Sequence, residues 1–205
     1  MENQANKFIK YEVGIDEAGR GTLCGRVYTA AVVLPEEEAY PDGTYLKIKD
    51  SKKCSKKLRE TLRNYIETNA IAYSVAYADV EEIDTVNILQ ATMNAMHRAI
   101  DGLKIIPDGL AVDGSYFKTY IDRNGDFVPH TLVTGGDNKY RNIAAASILA
   151  KTYHDEHIRN LVFQEPELEK YGWEKNMGYG TKAHIEAIRI HGISKYHRKS
   201  FGPCK

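Results

Sequence analysis

The amino-acid sequence predicts an α/β protein in which a mixed β-sheet is flanked by helices. Short apolar runs rich in Val, Ala and Ile, bounded by polar turns, indicate strands. Other segments repeat apolar residues at spacings of three and four and indicate amphipathic helices. Two strands come first, and strands then alternate with helices, which is typical of a mixed sheet with helices packed against it.

Five segments are predicted to be strands. They cover residues 11–16, 27–34, 71–78, 109–113 and 127–133. The last of them follows Asn124 and Gly125, a pair that favours a tight hairpin turn. A polar loop over residues 35–55 separates the second strand from the first helix.

Four segments are predicted to be helices. They cover residues 56–69, 85–100, 138–162 and 182–191. Ser55 and Thr181 are suitable N-cap residues for the first and the last helix, and Gly192 ends the last one. The small residues 144–147 of the long third helix favour close packing against a sheet.

The composition of the 205 residues is that of a globular domain, because 42% are hydrophobic and 27% are charged. No apolar run approaches the roughly 20 residues that span a bilayer. The first ten residues lack the apolar core of a secretory signal. The three cysteines are widely spaced, which favours a reducing compartment. We therefore expect a cytoplasmic protein of one domain, residues 1–205, that has no membrane contact.

The formal net charge of zero hides two basic segments. Residues 47–63 contain eight basic and two acidic residues, and residues 182–205 contain six basic and one acidic residue. Such segments favour a localised phosphate-binding face. Solvated helix faces and a basic tail would produce the same counts, so both interpretations stay open at this point.

Two adjacent carboxylates, Asp16 and Glu17, end the first predicted strand and lead into a glycine-rich loop. The sequence of residues 14–25 is GIDEAGRGTLCG, and its glycines indicate unusual dihedral angles or the close approach of a ligand. A dinucleotide site is excluded because a strand, not a helix, follows the loop. A phosphate-binding Walker loop is excluded because the chain has no Gly-Lys-Ser/Thr.

Two further acids stand where predicted elements end or begin. Asp113 closes the strand 109–113, and Asp137 precedes the long helix. Carboxylates that different elements deliver to one end of a sheet are the oxygen ligands that Mg²⁺ requires. The alternatives are that Asp113 belongs to a turn and that Asp137 is the N-cap of the long helix. His154 and His157 lack a third ligand at zinc spacing, and we expect them to be surface residues.

Eight short motifs, in chain order, resemble those of ribonuclease HII, the type 2 ribonuclease H family. They are GIDEAGRG (14–21), DSKK (50–53), NILQATM (87–93), VDG (112–114), GD (136–137), AAASILAK (144–151), YGWEKNMGYGTKAH (171–184) and HRKSFGP (197–203). The resemblance extends over roughly nine-tenths of the chain, from about residue 11 onward. The chain departs from the family pattern at Thr22, Arg26, Gly135 and Gly180, and none of these is an acid.

The resemblance implies a ribonuclease H-like catalytic domain with a small helical portion at about residues 165–205 that binds substrate. It implies an endonuclease that cleaves RNA in RNA–DNA hybrids and incises 5′ to ribonucleotides embedded in duplex DNA. The products would be 3′-hydroxyl and 5′-phosphate ends. Asp16, Glu17, Asp113 and Asp137 would be the catalytic acids, and they would bind two Mg²⁺ or Mn²⁺ ions during catalysis.

The resemblance also implies substrate-binding residues. Gly19, Arg20 and Gly21 correspond to the family's reader of the ribose 2′-hydroxyl, the group that distinguishes RNA from DNA. Tyr179 corresponds to a tyrosine that packs at the RNA–DNA junction. The side chains that match phosphate-contacting positions are Lys52 and Lys53. The implied partners are RNA–DNA hybrids and ribonucleotide-containing duplex DNA. We expect a monomer, with no tail for a clamp-binding peptide after residues 201–205.

Three other classes stay in competition with this interpretation. The sister type 3 enzymes have GKG in place of GRG and an extra N-terminal domain. Integrases and Holliday-junction nucleases share the acidic site but do not need a 2′-hydroxyl reader. A non-catalytic hybrid-binding module should have lost at least one of the four acids, and all four are present.

Overall fold

A computed structural model describes residues 1–6, 9–35 and 43–205, and these residues contain a five-stranded mixed sheet. Its strands, in the spatial order β3-β2-β1-β4-β5, confirm the predicted mixed α/β fold. β1 is antiparallel to β2 and parallel to β4, β2 is antiparallel to β3, and β4 is parallel to β5. The strands are β1 (Glu12–Ala18), β2 (Val27–Val33), β3 (Ala72–Ala78), β4 (Gly109–Asp113) and β5 (His130–Val133).

Six α-helices lie within the same described residues. They are α1 (Lys56–Asn69), α2 (Val80–Val86), α3 (Ile88–Asp101), α4 (Arg141–Gln164), α5 (Trp173–Asn176) and α6 (Lys182–His191). Ser55 caps α1 by accepting a hydrogen bond from the N–H of Leu58, and Thr181 caps α6 in the same way, as the sequence predicts. None of these helices is long and apolar enough to cross a membrane.

The sheet is covered on both faces, and β2 shows how the sequence produces the two layers. Successive strand residues point to opposite faces. Ala31 and Val33 pack with residues of α3, whereas Ala30 and Val32 pack with residues of α1 and α4. Every residue of β2 is therefore buried, and apart from Tyr28 the strand consists of small and β-branched residues.

Three predicted boundaries are wrong, each for a local reason. The helix predicted over residues 85–100 is two helices, because Asn87 takes a positive φ of 74° and caps α3 through its side chain. The strand predicted over residues 127–133 begins only after Pro129, which has no N–H to donate. The long helix begins at Arg141 because the residues before it form a 3₁₀ turn. Part of the predicted loop, residues 36–42, lies outside the described residues.

The residues after α4 form a helical layer of their own, built on a separate apolar cluster. Trp173, Ile188 and their neighbours pack on the end of α4 and on Leu23 and Cys24, which follow β1. Residues 166–171 and 202–204 contribute 3₁₀ turns to this layer. The layer therefore rests against the segment that leaves the carboxyl end of β1.

The main chains of β1 and α4 come unusually close together. A Cβ atom added at Gly14 would lie 2.5 Å from the carbonyl oxygen of Asn142. The Asn142 side chain joins the two elements, donating to the carbonyl of Glu12 at 2.8 Å and accepting from the N–H of Leu34 at 2.9 Å. Both groups are buried, so each hydrogen bond satisfies a main-chain group that water cannot reach.

Gly14→Ala should destabilise the protein by about 3 kcal/mol, because a helix backbone cannot yield to the added methyl group. The free energy of unfolding in urea measures this. Gly21→Ala is the matched control, since no heavy atom lies within 4 Å of its added Cβ. Equal stability of the two variants would contradict the close approach of β1 and α4.

Candidate active site

Three carboxylates meet at the carboxyl ends of the central strands. Asp16 lies in β1, Asp113 ends β4, and Asp137 lies in the 3₁₀ turn before α4. One oxygen atom from each of them lies within 4.8 Å of the other two. β1 and β4 are parallel neighbours, so their ends deliver the first two acids to the same edge of the sheet.

Each of these carboxylates is held by specific hydrogen bonds. Asp16 accepts from the N–H of Glu17 at 2.7 Å, and the Ser147 hydroxyl on α4, which pairs with Ser51 at 2.9 Å, acts to lower its pKa. Asp113 accepts from the N–H of Gly136 at 2.9 Å, which ties β4 to the turn that contains Asp137. Main-chain N–H groups of the strand and of the turn therefore fix the first two carboxylates.

The electrostatics of the cluster favour a bound cation. Burial, followed by repulsion from Glu17 and Asp113, raises the pKa of Asp16 well above its ordinary value. Burial, followed by repulsion from Asp50 and Asp113, raises the pKa of Asp137. Converging carboxylate oxygens that repel one another are the donor set of hard divalent cations, so the residues present fit such an ion.

Glu17 occupies a different position from the other three predicted acids. Its carboxylate accepts a hydrogen bond from Nη1 of Arg20 at 3.2 Å and does not belong to the three-oxygen cluster. Burial raises the pKa of Glu17, and the Arg20 guanidinium opposes that rise. Repulsion from Asp113 also acts on Glu17, which places this acid at the rim of the cluster.

Sequence reasoning missed a fifth acid, Asp50. It is buried, its carboxylate accepts from the N–H of Lys52 at 2.9 Å, and its charge raises the pKa of Asp137. Asn138 lies between the two acids, donating to Asp137 at 2.9 Å and contacting Asp50 at 3.5 Å. The available signal was the DSKK motif, whose acid caps a short 3₁₀ helix beside the cluster.

An open cleft of about 450 Å³, here called the acidic cleft, lies beside the cluster. It is lined by Asp16, Glu17, Ala18, Gly19, Arg20, Gly21, Ser51, Lys52, Ser147, Lys151 and Tyr179. The structure thus brings most of the predicted substrate-binding residues to one cleft with two of the acids. Lys53 does not line it and donates instead to the side chain of Asn138.

Two buried side chains contact the loop formed by residues 19–21, which we call the Gly-Arg-Gly loop. Gly19 has a φ of +89°, and a Cβ there would lie 2.7 Å from Nε2 of His154. Arg198 donates from Nη1 to the carbonyl of Arg20 and from Nε to that of Gly25, both at 3.0 Å. Burial lowers the pKa of this guanidinium to about 10.

The surface position expected for His154 is wrong. Its ring is fully buried beneath Gly19, where the missing side chain leaves room for it, and Nδ1 contacts the carboxylate of Asp155 at 3.1 Å. Desolvation lowers the pKa of His154. His157 is half-buried against the ring of Tyr28, with centroids 5.8 Å apart.

Tyr179 lines the acidic cleft with 37% of its surface exposed. The ammonium group of Lys151 lies 5.2 Å from the centre of its ring, and the ring of His154 lies 6.2 Å away. Its main chain pairs with Thr22, just after the Gly-Arg-Gly loop. The loop and the tyrosine are therefore coupled through the backbone.

The five-stranded sheet with helices on both faces has the ribonuclease H-like fold. Ribonuclease H2 from Pyrococcus horikoshii OT3 superposes with a TM-score of 0.71 at 23% identity, covering 94% of each chain. Bst-RNase HIII, solved in complex with Mn²⁺, gives 0.67 at 16% identity, covering 95% of this chain and 68% of that one. These likenesses establish the fold.

Sequence comparison establishes the family. The model of the family described as Ribonuclease HII matches residues 13–204. Ribonuclease HII of Parabacteroides distasonis is 50% identical over 192 residues, covering 94% of this chain and 90% of that one. Ribonuclease HII of Neisseria meningitidis serogroup C is 44% identical, covering 94% and 92%. The chain belongs to the ribonuclease HII family and is an endoribonuclease.

Asp16→Asn should stabilise the metal-free protein at pH 7 by about 1 kcal/mol or more, because it removes a buried charge among like charges. The raised pKa of Asp16 means that the folded state binds this proton more tightly than the unfolded state does. The contribution of Asp16 to stability is therefore largest below its ordinary pKa and falls as the pH rises through the raised pKa.

Urea unfolding in chelator at pH 4 and pH 7 measures the effect, and the gain should shrink at the lower pH. Asp126→Asn changes an exposed acid and should alter stability by less than about 0.5 kcal/mol. A loss of stability in Asp16→Asn at pH 7 would contradict the repulsion described for the cluster.

Proposed function

We propose that this chain hydrolyses RNA in RNA–DNA hybrids and also incises duplex DNA on the 5′ side of an embedded ribonucleotide. The products would be a 3′-hydroxyl and a 5′-phosphate. The observation that carries the proposal is the convergence of Asp16, Asp113 and Asp137 beside a cleft walled by the Gly-Arg-Gly loop. Family membership supports the class of reaction, and the residues that line the cleft support the proposed recognition of the substrate.

Asp16, Asp113 and Asp137 would hold Mg²⁺ or Mn²⁺, with Glu17 at the rim. A pair of such ions supplies Lewis acidity that activates a water molecule and stabilises the departing 3′ oxygen. The chain's own contribution is to hold the acids in place. The N–H of Glu17 orients Asp16, and the N–H of Gly136 orients Asp113.

The Gly-Arg-Gly loop would recognise the ribose 2′-hydroxyl. The Cβ direction of Gly21 is open, with no heavy atom within 4 Å, so a sugar can approach its main chain closely. The Arg20 guanidinium contacts Glu17, which places a donor group next to the acids. A 2′-hydroxyl both donates and accepts hydrogen bonds, so main-chain groups and a guanidinium suit it.

Tyr179 would pack against the deoxyribose that follows the ribonucleotide. Its half-exposed ring faces the same cleft as the acids, and Lys151 beside it adds positive charge. Lys52 and Lys53 would contact phosphates, giving an affinity that falls as the salt concentration rises.

One chain supplies the acids, the loop and the tyrosine, so we propose that a monomer suffices. We propose a role in removing ribonucleotides from DNA in the cytoplasm, in replication and repair.

The primary test is cleavage of a labelled duplex that carries one ribonucleotide in otherwise DNA strands, with Mg²⁺, Mn²⁺ or chelator. Incision 5′ to the ribonucleotide that chelator abolishes is the expected result. Cleavage of longer RNA tracts alone would contradict recognition of the junction. Cleavage of an all-DNA duplex would place the protein in the class of integrases and junction nucleases. Binding of hybrid without any cleavage would indicate a binding module.

Asp113→Asn should reduce cleavage at least ~10³-fold while hybrid binding and folding persist, because the carboxylate charge is lost but Asn can still accept from Gly136. Single-turnover cleavage and a binding titration measure the two properties. Asp126→Asn, in an exposed loop, is the control and should cleave normally. Cleavage by Asp113→Asn at the wild-type rate would remove this residue from the site.

Tyr179→Ala should lower kcat/KM about tenfold on the single-ribonucleotide duplex and less on a long hybrid, because the ring contact is needed most where only one ribonucleotide is present. Tyr73→Ala is the matched control, since Tyr73 is also 37% exposed but lies in the edge strand β3. Equal losses on both substrates in Tyr179→Ala would contradict a junction role.

A further inference from the structure

Two buried histidines lie directly behind Tyr179. His184 belongs to α6 and His197 to the segment that follows it, and neither side chain has any exposed surface. Their Nε2 atoms are 3.2 Å apart, and the indole of Trp173 contacts both rings. The hydrogen-bond partners of these rings determine which nitrogen of each carries the proton.

The partners of His184 require a proton on Nδ1. The indole N–H of Trp173 can only donate, and it reaches Nε2 of His184 at 2.9 Å, so Nε2 must be the acceptor. On the other side of the ring, Nδ1 lies 3.0 Å from the carbonyl oxygen of Tyr179, which can only accept. The neutral ring therefore donates from Nδ1 to the Tyr179 main chain.

The partners of His197 require the opposite arrangement. The main-chain N–H of Ser194 donates to Nδ1 of His197 at 2.9 Å, so this nitrogen carries no proton. The proton of the neutral ring then lies on Nε2, which faces the acceptor nitrogen of His184. These two tautomers give every contact a donor and an acceptor, and the single lone pair on Nε2 of His184 is shared between the Trp173 N–H at 2.9 Å and the His197 N–H at 3.2 Å.

The surroundings keep both rings neutral. Desolvation lowers the pKa of His184, and desolvation together with the neighbouring His184 lowers that of His197 to about 4. The rings of Tyr171 and Trp173 pack around the pair, with the Tyr171 ring edge-on to His197 at 4.7 Å. At neutral pH the chain of donors and acceptors is therefore intact.

We propose that His184 and His197 are positioning residues that hold the Tyr179 main chain through this relay of fixed tautomers. The relay runs from the N–H of Ser194 through both rings to the Tyr179 carbonyl, and it sets the preference for a single ribonucleotide by fixing the tyrosine beside the acidic cleft. The substrate effect rests on the proposed junction role of Tyr179. The tautomers do not depend on it.

The first experiment measures the tautomers in the wild-type protein. Long-range ¹H–¹⁵N spectra of ¹⁵N-histidine-labelled enzyme at pH 7 distinguish protonated from unprotonated ring nitrogens. The expected result is a proton on Nδ1 of His184 and on Nε2 of His197, assigned with single His→Gln variants. A proton on Nε2 of His184, or a doubly protonated ring in either residue, would overturn the relay whatever the substrate.

The second experiment compares two substitutions at one position. In His184→Asn the amide nitrogen falls near Nδ1 and can still donate to Tyr179, whereas the contacts with Trp173 and His197 are lost. In His184→Gln the amide oxygen falls near Nε2 and still accepts from both, whereas the donor to Tyr179 is lost. The two variants thus separate the contact with Tyr179 from the contacts inside the core.

The readout is the ratio of kcat/KM on the single-ribonucleotide duplex to kcat/KM on a long hybrid. His184→Gln should lower this ratio roughly fivefold, which corresponds to the loss of one hydrogen bond. The loss is limited to this size because the N–H of Thr181 still donates to the Tyr179 carbonyl. His184→Asn should preserve it. An unchanged ratio in His184→Gln, or a greater fall in His184→Asn, would show that the histidines only stabilise the core.

Tyr179→Ala, measured in the same assay, distinguishes the two ways of failing. If Tyr179→Ala lowers the ratio and His184→Gln does not, the relay is wrong and the junction role of the tyrosine stands. If neither substitution lowers the ratio, the junction role fails and the substrate effect of the relay fails with it. The tautomer measurement then tests the hydrogen-bonded chain by itself.

Discussion

The contact between β1 and α4 determines the geometry of everything around the acidic cleft. Because Gly14 lacks a side chain, Asn142 can join the two backbones and fix the helix along the strand. Successive turns of α4 then meet successive parts of the site. Ser147 reaches the first acid, Lys151 reaches the cleft, and His154 lies beneath the Gly-Arg-Gly loop. A rotation of this helix would displace all three at once.

The acidic cluster lowers the stability of the metal-free folded state and favours the binding of a cation. Burying like charges at the ends of adjacent strands disfavours the metal-free folded state, as the raised pKa values of Asp16 and Asp137 indicate. The rest of the fold must offset this cost, and the fully buried sheet with helices on both faces does so. A cation that neutralises the cluster would stabilise the folded chain as well as equip it for catalysis.

The fold class and most elements could be predicted from the sequence because periodicity and capping residues are local signals. The acids Asp16 and Asp113 could be located because strand ends are visible in the sequence, although only the parallel pairing of β1 with β4 brings them together. Other features depend on contacts between distant residues. Arg198 contacts a carbonyl 178 positions earlier, and the burial of His154 follows from a missing side chain elsewhere.

Those distant contacts set an order of assembly. The acids of β1, β4 and the turn at Asp137 can come together once α4 has formed, with partners all within the first part of the chain. The Gly-Arg-Gly loop lies near the start of the chain, yet the carbonyl of Arg20 in this loop accepts its hydrogen bond from Arg198 near the end. The loop-closure entropy of so long a separation must be offset before this contact forms. During synthesis, the acids of the cluster would therefore assemble before the Gly-Arg-Gly loop is fixed beside them.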